Sequence, residues 1–167
     1  MIKKAKELSC EIDFYQCDVN NLTFDDNTFD SAIFSFNGLM QIPGIKNRLK
    51  ALKEINRILT KGGLFIFTTH DRVGPNGEFK KFWDQEKIKW NNDEQDSRLI
   101  NFGDIQIRKH GIDTYIHIPT RKEIIDNISK AGFKLVDNII RSQVCKENDQ
   151  VHNFSNDCRF YIVQKET

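Results

Sequence analysis

The side chains best suited to chemistry in this 167-residue chain stand just after hydrophobic runs. Asp18 closes the run Ile12 to Cys17, and His70 and Arg72 follow Leu64 to Thr69 directly. If those runs are strands of an open α/β sheet, all three lie at carboxyl ends, where such sheets bind their ligands. A carboxylate there can accept a hydrogen bond that its charge strengthens. A histidine near neutral pKa can remove a proton from an oxygen or nitrogen. An arginine can clamp a carboxylate or phosphate. The plainer alternatives are a solvated loop aspartate and a polar loop that closes the strand.

The elements that would position these groups alternate. Ile2 to Leu8 reads as the tail of a helix, Ile12 to Cys17 as a strand, and Phe29 to Phe36 as a nearly all-apolar strand buried on both faces. A helix follows from about Ile45 to Thr60, because Ile45, Leu49, Leu52, Ile55 and Leu59 recur every three or four positions. Lys61-Gly62-Gly63 is expected to stop it, with a base near the helix end and a glycine free to turn left-handed. Leu64 to Thr69 is a further strand, completing the strand-helix-strand pattern of a parallel sheet. Beyond Gly74-Pro75-Asn76-Gly77 comes a weakly patterned helix from Glu78 to about Trp90. Antiparallel strands are then expected at 98–102, 105–108 and 114–118, with a turn at His110-Gly111. A helix from Pro119-Thr120 to Lys130 ends at Gly132, and 133–141 with 157–164 make a last strand pair. The segment 95–118 reads as a lid-like insertion. His117, between Ile116 and Ile118, reads as a surface strand residue. Phe79, Phe82 and Trp83, at helical spacing, read as core before substrate box.

Composition excludes several classes. Net charge is +1, from 25 basic and 24 acidic residues finely mixed, so neither nucleic acid nor a membrane surface is an expected partner. No apolar run is long enough to span a bilayer. Cys10, Cys17, Cys145 and Cys158 form no CxxC pair, and no metal is expected. A reduced, cytoplasmic chain with buried free thiols follows.

At this point the residues carry a resemblance. CDVNNLTFDDNTFDSAIFSF, followed by ALKEINRILTKGGLFIFTTH, resembles the class I S-adenosylmethionine-dependent methyltransferases. The matching positions are Leu22, Phe24, Asp26, Phe29 and Asp30, then Glu54, Arg57, Leu59, Gly62 and Gly63, with Ala131-Gly132-Phe133 later. The resemblance implies a Rossmann-like α/β sheet with helices on both faces and S-adenosylmethionine as cofactor. It implies that Asp18 and the Val19 amide meet the adenine, and that Ser35, Phe36 and Asn37 meet the methionine part; Asn37-Gly38 also reads as a plain turn. His70 becomes a candidate base, and His70 with Arg72 candidate contacts for a small-molecule methyl acceptor. Glu54 and Arg57 read as a structural pair, and Phe24 and Phe29 as core.

The family's first two strands carry a glycine-rich loop and a ribose-binding acid. No glycine occurs here before Gly38. The expectation is therefore a partial methyltransferase domain over 1–167, truncated, with the amino-terminal strands 1 and 2 missing and the isolated chain's activity in doubt. In the family order third-second-first-fourth-fifth-seventh-sixth, that leaves open sheet edges through which the chain could self-associate. Two other readings stand beside the enzyme: a non-catalytic remnant or partner-dependent binding subunit, and a nicotinamide oxidoreductase, whose glycine fingerprint is also absent.

Overall fold

A computed structural model describes residues 2–8, 11–74, 77–109, 111–144, 146, 148, 150 and 156–166. The helices are α1 (Ile2–Leu8), α2 (Ile45–Ile58), α3 (Lys80–Asn91), α4 (Arg121–Lys130) and α5 (Arg141–Val144). The strands are β1 (Phe29–Phe34), β2 (Leu59–Thr69), β3 (Asp104–Lys109), β4 (Ile112–His117), β5 (Phe133–Ile140) and β6 (Arg159–Lys165). Four strands form one sheet in the order β1-β2-β6-β5, and β3 with β4 forms a separate hairpin. β1 runs parallel to β2, while β6 is antiparallel to both β2 and β5. Parallel neighbours need a crossover, and α2 supplies it.

The apolar stripe of α2 explains where the core lies. Ala51, Leu52 and Ile55 pack with Ile124 and Ile128 of α4 onto Phe65, Phe67, Phe133, Tyr161 and Val163 of the sheet. Thr120 caps α4 by accepting from the Glu123 amide at 3.1 Å, a relief of orphan donors that serine and threonine provide at helix starts. Arg57 ties residues 22–26 to α2, donating to the carbonyls of Leu22 and Phe24 at 2.9 and 2.8 Å while pairing with Glu54. Phe24 stands edge-on to Phe29 and Tyr15, in keeping with a packing role.

Several expectations are corrected. Residues 12–17 form no strand; a strand exists only where a ladder partner takes its N–H and C=O groups, and among the described residues none flanks this segment. β1 is not buried on both faces. Helices α2 and α4 cover one side of the sheet, and on the other Ile33 is 74 % exposed and Leu64 is also exposed. On that second side only Arg141 of the short α5 borders Ile33, Ile66 and Phe160 among the helices described. Gly62 does not cap α2. The chain turns extended at Leu59 and enters β2 at once. The β1–β2 register slips between Phe29 and Ser31, whose partners are Leu59 and Leu64. Residues 60–63 thus bulge, with Gly62 at φ +75°. Residues 98–102 form turns, because the Asp104 carboxylate takes the amides of Ile100 and Asn101 that a ladder would have used. Cys17 is exposed, whereas Cys158 is buried; Cys10, Pro75-Asn76, His110 and Cys145 lie outside the described residues.

One-sided burial has a measurable signature. Leu52→Ala should cost about 2–5 kcal/mol in urea unfolding, as core truncations do, while Ile33→Ser should stay within about 0.5 kcal/mol of the parent. Equal losses at the two positions would mean that the Ile33 face is covered in solution.

Candidate functional site

The parallel strands β1 and β2 end side by side, and the turn leaving β1 is unusual. Phe36 and Asn37 both take positive φ, 54° and 53°. Non-glycine residues rarely adopt that region, and such positions gather at ligand clamps. The Asn37 amide donates to Thr68 Oγ1 at 3.2 Å, which pins the turn to β2. Phe36 projects into solvent at 90 % exposure. Asn37 Oδ1 is buried with no hydrogen-bond partner among the described residues. Residues 33–37 line a cavity of about 340 Å³ together with Ile66, Thr68 and Phe160. A buried acceptor left unpaired beside a cavity fits a ligand that brings a donor.

His70 stands at the end of β2, half-buried, with both ring nitrogens engaged. Nδ1 lies 3.0 Å from the Asp157 carbonyl oxygen, and Nε2 lies 3.3 Å from Asn37 Nδ2. A carbonyl can only accept, so Nδ1 carries the proton and Nε2 accepts from the asparagine amide. The His70 amide donates to Met40 Sδ at 3.1 Å, which fixes the backbone too. On its other side His70 borders a second cavity, of about 240 Å³. Asp71, Phe79, Phe82, Trp83, Ile105, Ile118 and Asn156 complete its lining. The aromatic set at helical spacing is thus both core and cavity wall: Trp83 is buried against Met40 and Ile118, and Phe82 stands edge-on to it. Ile105 and Ile118 come from the insertion, making that segment a wall of the cavity.

Arg72 does not present a free guanidinium. It donates to the carbonyl of Ile118 at 2.9 Å and of Phe102 at 3.1 Å, pairs with Glu123 at 3.4 Å, and lies over the rings of Trp83 and Phe102. Gly103, at φ +110°, makes room for it: a Cβ there would collide with the guanidinium. The expected clamp for a substrate anion is instead a clamp on the insertion. Burial pushes its pKa down, and the nearby carboxylates of Glu123 and Asp104 oppose that.

His117 is likewise corrected. It is 2 % exposed, with Nδ1 at 2.6 Å from Asp104 and Nε2 at 2.8 Å from Glu123. Asp104 also accepts from the Tyr115 hydroxyl at 2.7 Å and from the Ile100 and Asn101 amides. Arg48, itself buried, faces Glu123 at 3.6 Å. Alternation along β4 correctly set His117 opposite Ile116, but both faces of this hairpin end are covered. Asp104, Tyr115 and His117 meet α4 and α2, while Ile105 and Ile116 meet the aromatic cluster. A signal was present in the sequence: pairing outward from His110-Gly111 sets Asp104 opposite His117, and that is the register found. Burial alone would raise the Asp104 pKa. The hydrogen bonds from His117, Asn101, Tyr115 and Ile100 outweigh it and bring the carboxyl down to about 2. Glu123 is also lowered: burial opposes the shift, and His117, Arg48 and Arg72 prevail.

Asp18 is exposed and sits in a turn, accepting from the Asn20 amide at 2.9 Å. It lines neither of the two cavities. Val19 packs against the core beside Leu22.

Taken together, the order β1-β2-β6-β5, the antiparallel final pair and the turn at the carboxyl end of β1 belong to a fold shared with solved S-adenosylmethionine-dependent methyltransferases. They correspond to the fourth-fifth-seventh-sixth run of the strand order that the sequence resemblance implied. Residues 1–67 match the methyltransferase domain family. Among curated relatives, the ubiquinone/menaquinone biosynthesis C-methyltransferase of Bdellovibrio bacteriovorus is 42 % identical over 60 residues, 36 % of this chain and 24 % of the relative. The demethylmenaquinone methyltransferase of Staphylococcus epidermidis is 41 % identical over 66 residues, 39 % of this chain and 26 % of the relative. The matched stretch is thus about a quarter of the length of these relatives. A S-adenosylmethionine-dependent methyltransferase of Methanosarcina mazei superposes with a TM-score of 0.66 at 19 % identity, over 89 % of this chain and 65 % of that one. The 1,6-didemethyltoxoflavin-N1-methyltransferase of Burkholderia thailandensis, solved with bound 1,6-didemethyltoxoflavin and S-adenosylhomocysteine, superposes with a TM-score of 0.60 at 14 % identity, over 99 % of this chain and 56 % of that one. No helix among the described residues is long and apolar enough to cross a membrane.

The ion cluster generates an acid-stability prediction. A carboxyl held down at about 2 in the folded state contributes stability above its ordinary pKa and loses it as pH falls toward 2. Asp104→Asn should cost about 3–5 kcal/mol at neutral pH, as expected for breaking a buried pair, and should flatten the loss of stability between pH 4 and 2. Denaturant unfolding across that range tests it, and an unchanged acid limb would show that Asp104 is not ionised in the cluster.

Proposed function

We propose that this chain takes part in transferring a methyl group from S-adenosylmethionine to a small-molecule acceptor held in the aromatic cavity. One observation carries the reading. The Asn37–His70 contact joins the turn that the family uses for cofactor to the cavity lined by Phe79, Phe82 and Trp83. Donor and acceptor sites that share a wall suit an in-line displacement, where holding the reactants in line supplies much of the rate.

When bound, S-adenosylmethionine supplies an electrophilic methyl carbon and a sulfur that keeps the electrons of the broken bond. Two groups of residues are the candidates to hold it, as the family resemblance implies. The Asp18 carboxylate and the Val19 amide would hold the adenine edge. Ser35, Phe36 and Asn37 would hold the methionine part, and the unpaired Asn37 Oδ1 offers it an acceptor. The acceptor's lone pair forms the new bond to carbon, and the proton it sheds passes to His70 Nε2 once the Asn37 amide yields that position. Segment 95–118 acts as the cavity's wall, braced by the Asp104–His117–Glu123 cluster. The family match ends at residue 67, before any residue of the cavity. The acceptors of the named relatives therefore do not carry over. Even mixing of charge, with a net of +1, supports a small molecule over nucleic acid. A partner-dependent subunit is a second reading, favoured by the uncovered Ile33 and Leu64 face.

Calorimetric titration with S-adenosylhomocysteine and a tritium methyl-transfer assay test the first reading. Asp18→Ala should weaken binding by about 1.5–3 kcal/mol, the scale of a charge-assisted hydrogen bond, and Asp25→Ala should change little. His70→Ala should leave cofactor affinity nearly unchanged and lower kcat about a hundredfold. Cofactor binding lost at His70, or Asp18 and Asp25 behaving alike, would refute the assignment.

A further inference from the structure

The aromatic cavity carries more than a place for an acceptor; its lining also restricts the acceptor's charge. Five of its walls are apolar, three of them aromatic: Phe79, Phe82 and Trp83 with Ile105 and Ile118. At about 240 Å³ it holds roughly eight water volumes, below the usual range for drug-sized ligands, so it suits a ligand of one-ring size. Asp71 stands in this lining, half-buried. Its backbone carbonyl accepts from Gly74 at 3.0 Å, but its carboxylate makes no side-chain hydrogen bond among the described residues.

A carboxylate beside an apolar wall is costly unless a cation or donors compensate it. Arg72, the next residue, feels the Asp71 charge but spends its guanidinium hydrogen bonds on Ile118, Phe102 and Glu123. His70 turns its ring nitrogens to the Asp157 carbonyl and the Asn37 amide, and neither is hydrogen-bonded to Asp71. Aromatic faces attract cations through their quadrupoles, and this ring cluster already holds one, since Arg72 lies 5.5 Å from the Trp83 centroid and 5.0 Å from that of Phe102. A ligand with an ammonium group would meet a carboxylate and aromatic faces together.

We infer that the cavity selects a small organic amine, bound with its ammonium against Asp71 and its apolar body among Phe79, Phe82 and Trp83. The inference rests on the acceptor-site reading above and narrows it to one chemical class. An aliphatic amine is protonated at neutral pH, as lysine is, and Asp71 would hold it in that form. For methyl transfer the nitrogen must first release one proton, and His70, which lines the same cavity, is the base proposed above to receive it.

The test is equilibrium binding with the full chain, using 2-phenylethylamine and its uncharged counterpart 2-phenylethanol at pH 7.5. The amine is expected to bind at least tenfold more tightly. Asp71→Asn should erase that preference, Asp71→Glu should retain part of it, and Phe82→Leu, at a half-exposed rim position, should weaken the amine several-fold. Equal affinity for the two compounds, binding of neither, or a preference that survives Asp71→Asn would each overturn the inference. The readout needs no turnover. If S-adenosylhomocysteine fails to bind while amine preference holds, the methyltransferase reading falls and the amine site stands. If the cofactor binds without amine preference, only the amine site falls.

Discussion

The buried cluster of His117 between Asp104 and Glu123 is the joint on which the upper half of the molecule depends. Three elements meet there: the hairpin supplies Asp104 and His117, α4 supplies Glu123, and α2 reaches in with Arg48. Arg72 adds a fourth connection by holding the backbone at Phe102 and Ile118. Removing charges from water is expensive, so such a cluster persists only when each lone pair and proton is met. Asp104 comes close to that condition, accepting from two amides, a hydroxyl and an imidazole. The reward is geometric. A two-stranded hairpin is marginal by itself in water, and here it is set firmly enough to carry two isoleucines to the cavity.

The lower half is held by different means. Its sheet lies against α2 and α4 through an apolar layer of stacked rings, with Phe67 facing Tyr161 at 5.2 Å and Phe65 facing Phe67 at 5.0 Å. The opposite side of the same strands is apolar too, and it leaves Ile33 and Leu64 exposed. The molecule thus combines a conventional core on one side with a surface, around Ile33 and Leu64, whose chemistry is that of an interior.

Much of this was legible in the sequence, and the failures have physical causes. The α2 stripe, the β2 run and the Thr120–Gly132 helix were found because periodicity and caps are local signals. The strand at 12–17 was not, because strand formation depends on a neighbour that hydrophobicity alone does not supply. Gly62-Gly63 read as a helix stop when it marks a bulge; both uses need the same positive φ. His117 and Arg72 were misjudged in opposite directions, one assigned to solvent and one to substrate. Each is in fact bound by carboxylates from another part of the chain, a pairing that residue type does not reveal. His70 was placed correctly at a strand's carboxyl end, yet its link to Asn37 across 33 positions was invisible.

If both cavities are filled as proposed, that link would join them through one side chain. The amide of Asn37 is shared: what its oxygen does on one side alters what its nitrogen offers to His70 on the other. A group that must serve two occupants couples their affinities, and the coupling is equal in both directions. In kinetic language, the turn at 36–37 is where an order of addition, and an order of product departure, would be written into the backbone.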